Sequence, residues 1–212
     1  MPEGDNILRT AINLRKVMLD RPIIKSTARR DVMEQGSLDG CVTSEIEARG
    51  KHLLMHFDDG RILHSHMGMT GSWHIYRHQD RWQKPERFAW ITLTNADWIV
   101  VCFTPRLLKL LSKTDLRRDP WLQRLGPDVT GPPIPDNVLL ARFRTQDAVP
   151  IGEAVMNQTV ICGIGNIYKS EILFAERLHP LTPVAELSDQ QLLQLRDRAV
   201  DLMRKNVHAD ER

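Results

Sequence analysis

Cysteine is scarce in this chain of 212 residues. Cys41, Cys102 and Cys162 lie far apart and none forms a C-x-x-C pair, so neither a zinc module nor a disulfide framework is indicated, and buried thiols in a reducing cytoplasm are expected. Long apolar runs are missing too. No stretch approaches the ~18 residues that a membrane helix needs, so no membrane partner is expected. The start, Met1-Pro2-Glu3-Gly4-Asp5, lacks the Lys or Arg of an export signal and carries acid instead. Excess charge of one sign is also absent: Lys and Arg number 29, Asp and Glu 27, for a net charge of +2. A nucleic-acid partner would have to be held by a local basic patch, because the field of the whole molecule is weak. Hydrophobic residues at 42% and charged residues at 26% are ordinary for a globular protein, and the length suits one sizeable domain or two small ones.

What is present changes character along the chain. Ile7, Ala11, Leu14 and Met18 repeat at helical spacing, with Leu8 and Ile12 beside them and Arg9, Arg15 and Lys16 facing away, which predicts an amphipathic helix capped by Asp5 or Asn6. Short runs rich in Ile, Val, Leu and aromatics then recur at 41–48, 51–57, 61–66, 71–76, 87–93 and 97–103. Asp58-Asp59-Gly60 is a hairpin signal between two of them, Asn95-Ala96 a weaker one, and the polar stretch 78–86 reads as a loop. Many short strands with close turns predict a β-sandwich. Gly126-Pro127 and Gly131-Pro132-Pro133-Ile134-Pro135 interrupt regular structure. Beyond them the pattern is helical: Ser188 with Gln191 is a capping box, and Leu192, Leu195, Ala199 and Leu202 form one stripe. The fold class predicted is α+β, with an N-terminal β-sandwich domain over 1–130 that includes the amino-terminal helix, and an all-helical domain over 131–212.

Pro2 is the most distinctive chemical feature. Removal of the initiator Met exposes a secondary amine. An α-amino group titrates near ~8, so a useful fraction is unprotonated at neutral pH. Such an amine can attack C1′ of a deoxyribose, form an iminium (Schiff base), and so acidify the C2′ hydrogen for β-elimination. Glu3, its neighbour, is placed to act as general acid or base. A Met-Pro-Glu start is common, however, and carries little alone.

Other segments join it. Pro2-Glu3-Gly4 before an amphipathic helix, Arg49-Gly50-Lys51 opening a strand, and His64-Ser65-His66-Met67-Gly68-Met69-Thr70-Gly71-Ser72-Trp73 occur in that order. Leu125-Gly126-Pro127-Asp128 follows, then Asn157-Gln158 and Gly163-Ile164-Gly165-Asn166-Ile167-Tyr168. Together these resemble the bifunctional DNA repair glycosylases that include formamidopyrimidine-DNA glycosylase and endonuclease VIII, over essentially the whole chain. The resemblance implies that residues 131–212 form a helix–two-turn–helix DNA-binding domain. It implies catalysis by Pro2, Glu3 and Lys51, with Lys51 pointing at a phosphate beside the nucleophile. It also implies DNA contacts by Met69, an apolar wedge in the duplex, by Arg106, and by Asn166, which would cap a helix whose free amides, at Ile167 for one, hold phosphate. Damaged double-stranded DNA is the implied partner, with no cofactor, for a monomer in the cytoplasm and nucleoid.

The sequence departs from the family pattern in three places. Thr104-Pro105-Arg106-Leu107-Leu108-Lys109 stands where the oxidised-purine branch has Asp-Pro-Arg-Arg-Phe-Gly, which favours the endonuclease VIII branch and damaged pyrimidines. Asn6 replaces a Glu found in many relatives and leaves Glu3 as the catalytic carboxylate. The family's zinc-binding hairpin carries four cysteines and a phosphate-gripping arginine. No cysteine follows Cys162, and Val207-His208-Ala209-Asp210-Glu211-Arg212 comes just after the last predicted helix, so the zinc finger is expected to be missing and no metal is expected. The competing reading is a truncated damaged-DNA-binding protein that is non-catalytic or a lyase only. His64 and His66 alternate on a strand without a third ligand and are read as structural. Arg196, Arg198, Arg204 and Lys205 are read as a solvated helix face.

Overall fold

The computed structural model describes residues 2–29, 31, 32, 34 and 36–207. The expectation for the last residues, 208–212, lies outside them. The chain forms two compact units, the first holding Pro2, Arg9–Ala48 and His52–Asp119, the second Glu3–Leu8, Arg49–Lys51 and the described residues from Pro120 onward.

The amino-terminal helix α1 spans Gly4–Met18. It starts earlier than a cap at Asp5 or Asn6 would place it, because the backbone carbonyl of Glu3 already accepts the Ile7 N–H at 3.2 Å. Asp5 and Asn6 therefore lie in its first turn. The predicted stripe is buried: Ile7, Ala11, Leu14 and Met18 are at most 2% exposed. Truncating Leu14 to Ala would cost about 2–5 kcal/mol.

In the first unit, eight strands make two four-stranded sheets. The strands are β1 (Lys25–Ala28), β2 (Thr43–Arg49), β3 (His52–Phe57), β4 (Arg61–His66), β5 (Ser72–Arg77), β6 (Ala89–Thr94), β7 (Trp98–Phe103) and β8 (Leu107–Ser112). The sheet orders are β1-β6-β7-β5 and β2-β3-β4-β8. The interior lies between them: Leu63 of β4 and Leu93 and Val100 of the other sheet are fully buried, and Trp73 Nε1 of β5 donates to Ser65 Oγ of β4 at 3.1 Å. Both hairpin signals hold. Gly60 takes φ +88° and its N–H reaches Phe57 O at 3.0 Å. Buried Asn95 accepts the N–H groups of Asp97 and Trp98 at 3.0 and 2.9 Å and donates to Val17 O at 2.7 Å. Two strands were not expected. β1 is polar and β8 is leucine-rich, so neither shows the apolar alternation of a half-buried strand. β8 is held by its register with β4, Leu107 opposite His66 and Ser112 opposite Arg61. The short helix α2 (Lys113–Arg118) follows, closed at its start by a Ser112–Asp115 capping box.

The second unit is helical: α3 (Pro120–Arg124), α4 (Asp136–Arg144), α5 (Ile151–Ala154), α6 (Asn166–Ala175) and α7 (Asp189–Val207). Its core includes Leu139, Phe143, Ile151, Ile172, Leu192, Leu195, Ala199 and Met203. The predicted capping box is formed, with Gln191 N donating to Ser188 Oγ at 3.3 Å and Ser188 N to Gln191 Oε1 at 2.9 Å. No helix among the described residues is long and apolar enough to cross a membrane.

Candidate nucleic-acid interface and catalytic residues

In the second unit, Glu3 seats itself on the end of α6. Its side chain is 1% exposed. Oε2 accepts the N–H groups of Gly165 at 2.7 Å and Tyr168 at 3.3 Å, and Oε1 accepts that of Ile167 at 2.8 Å. A helix start carries unsatisfied N–H groups and partial positive charge, so a carboxylate is well placed there. The next residue is tied as well: Gly4 N donates to Gly163 O at 2.9 Å.

This arrangement corrects one expectation. The helix cap is Gly165, not Asn166, and the Ile167 N–H, expected to hold phosphate, is spent on Glu3. Asn166 is the first helical residue, exposed, with Oδ1 accepting from Lys169 Nζ at 2.6 Å. The close approach of Glu3 is why residue 165 is glycine: a Cβ there would stand 2.5 Å from Glu3 Cδ. Gln158 builds the turn that presents these amides, accepting Gly163 N at 3.1 Å and donating to Ile164 O at 2.9 Å. In the sequence Gln158 stands out only as part of a signature. A polar side chain five residues before a Gly-x-Gly turn was the available signal.

Lys51 follows a turn at Gly50, whose φ of +59° suits glycine. A Cβ there would also meet Cys162 Sγ at 3.0 Å. Asp128 fastens the turn, accepting Gly50 N at 2.5 Å through Oδ2 and Thr130 N at 2.8 Å through Oδ1. Pro127 and Asp128 are themselves laced to Cys162: Cys162 N reaches Pro127 O at 2.9 Å and Val129 N reaches Cys162 O at 3.1 Å. The Leu125–Asp128 segment thus positions the lysine turn, a role that its sequence did not reveal. Lys51 is half-buried, and burial pulls its ammonium below the usual lysine range against the opposing pull of the Glu3 charge. Burial pushes the Cys162 thiol up to about 12, so it is inert beside the lysine.

The first unit carries Met69 and Arg106 on adjoining loops. Gly71 N donates to Met67 O at 3.0 Å and closes the turn, and Arg106 N donates to His66 O at 2.9 Å. Thr70 Oγ1 and Thr104 Oγ1 each donate to the other residue's carbonyl, at 3.3 and 3.4 Å. Gly68 has φ +65°, and a Cβ there would lie 2.8 Å from Arg106 Cβ. Met67 is buried at 4% exposure whereas Met69, two residues on, is 74% exposed. The packing under this loop therefore belongs to Met67, and Met69 is left standing out. The Arg106 side chain is exposed too.

The histidines form a structural group. His64, 1% exposed, shares a 2.8 Å hydrogen bond with His52, and burial pushes its imidazolium down to about 4. His66 Nδ1 accepts the Gly68 N–H at 3.2 Å. No group of three or more His, Cys, Asp or Glu suited to a metal occurs among the described residues. On α7, Arg198 pairs with Glu176 and Lys205 with Asp201, whereas Arg196 departs from the expected solvated face: its side chain is largely buried, pairs with Asp136 and Asp197 and donates to Ile134 O at 2.9 Å.

Known proteins share this layout. The pattern of the formamidopyrimidine-DNA glycosylase N-terminal domain matches residues 1–106, and that of the formamidopyrimidine-DNA glycosylase H2TH domain matches residues 125–212. The chain is 32% identical over 207 residues to a probable endonuclease 8 2 of Streptomyces coelicolor, covering 97% of this chain and 74% of that one. It is 31% identical over 204 residues to the DNA-(apurinic or apyrimidinic site) lyase Nei2 of Mycolicibacterium smegmatis, covering 96% and 77%. In fold it is similar to the formamido-pyrimidine DNA glycosylase of Lactococcus lactis solved non-covalently bound to DNA containing an AP site. That match has a TM-score of 0.82 and 24% identity, over 97% of this chain and 81% of that one.

Proposed function

Because the chain belongs to the formamidopyrimidine-DNA glycosylase and endonuclease VIII family, we propose that it is a base-excision repair enzyme acting on damaged double-stranded DNA. It combines DNA glycosylase and apurinic/apyrimidinic lyase activities, with Pro2 as nucleophile and oxidised pyrimidines as substrates. The observation that carries this reading is the seat of Glu3. Three backbone N–H groups hold its carboxylate, and the Gly4–Gly163 bond fixes the residue after it. Pro2 is joined to this anchored pair by one peptide bond, so its amine is restrained without any strand or helix of its own.

In the reaction, the Pro2 nitrogen bonds to C1′ as the bond from C1′ to the base breaks, and the base leaves as an anion that takes its proton from water. The Glu3 carboxylate accepts the proton that the Pro2 nitrogen gives up and passes it to the ring oxygen, which opens the sugar and yields the iminium. Loss of the C2′ proton then expels the 3′ phosphate. Lys51 and Asn166 neutralise and bind neighbouring phosphates, and Met69 fills the space of the everted nucleotide. The leucines at 107 and 108, beside Arg106, support the pyrimidine preference.

Glu3→Gln keeps the shape of the side chain and removes proton transfer. Release of an oxidised pyrimidine from a defined duplex should fall by a factor of about 10²–10⁴, while affinity for the duplex is retained. Equal losses in both would remove the acid–base role. An abasic duplex cleaved at full rate by a protein that releases no damaged base would reduce the activity to that of a lyase.

A further inference from the structure

A second carboxylate lies two residues beyond Glu3, and none of the proposed steps uses it. Asp5 is 1% exposed. Its Oδ2 accepts the Tyr168 hydroxyl at 3.0 Å and the side-chain amide of Asn206, and its Oδ1 accepts Asn6 Nδ2 at 3.0 Å. Burying a carboxylate is costly unless donors surround it, and an apolar side chain would serve packing alone as well or better. Two of the three donors, Tyr168 and Asn206, come from far along the chain. Asn206 is an exposed residue in the last turn of α7, a helix of 19 residues, and its amide turns back to the buried Asp5 carboxylate.

Tyr168 links the two carboxylates. Its backbone N–H binds Glu3 at 3.3 Å and its phenol binds Asp5 at 3.0 Å. Burial and the Asp5 charge push that phenol far above the usual tyrosine range, so it stays a donor. We propose that Asp5 and Asn206 are positioning residues for the reaction at the amino terminus: the carboxyl-terminal turn of α7 grips the first turn of α1 through Asp5 and so holds Glu3 in its seat. The inference rests on the assignment of Pro2 and Glu3 above. It adds that α7 is coupled to the chemistry through one amide–carboxylate contact.

The contact can be reversed. Asn206→Asp sets two carboxylates against each other, whereas the exchange Asp5→Asn with Asn206→Asp restores one amide and one carboxylate, and the Tyr168 hydroxyl can donate to either. Single-turnover cleavage of abasic DNA and affinity for a duplex with an uncleavable abasic analogue would be measured for each protein. Asn206→Asp should slow cleavage by about ten- to a hundredfold, the scale of an ångström of misplacement, with affinity changed by less than about threefold. The exchange should recover most of the rate. Full rate in Asn206→Asp, or an equal loss in the exchange, overturns the positioning role while leaving the activity in place. An inactive unsubstituted protein overturns both.

Discussion

The carboxylate of Glu3 occupies the space where a side chain on Gly165 would begin: a Cβ there would stand 2.5 Å from Glu3 Cδ. Gly165→Ala therefore displaces the proposed acid without touching it chemically. Single-turnover base release should fall by about a hundredfold, with a stability cost of about 1–3 kcal/mol from overpacking. Rate and thermal unfolding measured together check this. A wild-type rate in a folded Gly165→Ala protein would show that the seat is not needed.

Met69 can be removed at little cost to the fold, since it is 74% exposed. Met69→Ala should change unfolding free energy by no more than about 0.5 kcal/mol. It should nevertheless suppress eversion of the damaged nucleotide, because unstacking costs a few kcal/mol that the wedge helps to offset. Fluorescence of a base analogue beside the lesion reports the unstacking. An undiminished rise on binding would take the wedge away from Met69.

Lys51→Met should lower affinity for abasic-analogue duplex and reduce the slope of log K against log salt by about 0.9, the signature of one lost phosphate contact. Titrations at several salt concentrations check it. A parallel line would place Lys51 off the phosphate.

Buried His64 makes stability depend on pH. Its folded value, pushed down to about 4, lies below the ordinary ~6.5 of an unfolded histidine. Between those values the unfolded chain binds the extra proton, so stability is present above pH ~6.5 and is lost as pH falls towards 4, by at most about 3 kcal/mol. Urea unfolding at pH 7.5 and pH 5 tests this, and His64→Gln should flatten the difference. An identical pH dependence in His64→Gln would assign it to other groups.

Much of this fold could be read from the sequence because apolar periodicity reports burial. The stripe of α1, the six strands with apolar runs and the Ser188 capping box all announce themselves locally. β1 and β8 do not, since Lys25–Ala28 is polar and Leu107–Ser112 owes its state to pairing with β4. The candidate site was legible as residue identities and not as partners. Glu3 could be named from its place beside Pro2, but its hydrogen bonds reach 162 to 165 residues along the chain. Asp5 looked like a helix cap for the same reason: Tyr168 and Asn206, which hold it, are distant in sequence.

Covalent attachment of DNA to the amine of Pro2 is the step on which the other assignments depend. Sodium borohydride reduction of the protein mixed with abasic duplex, followed by mass mapping of the adduct, reads it out. One reduced adduct is expected, on the residue 2 nitrogen. It should be strongly diminished in Pro2→Gly and abolished when one residue is added before Pro2. An adduct mapped to a lysine, or undiminished trapping in the extended protein, would contradict it.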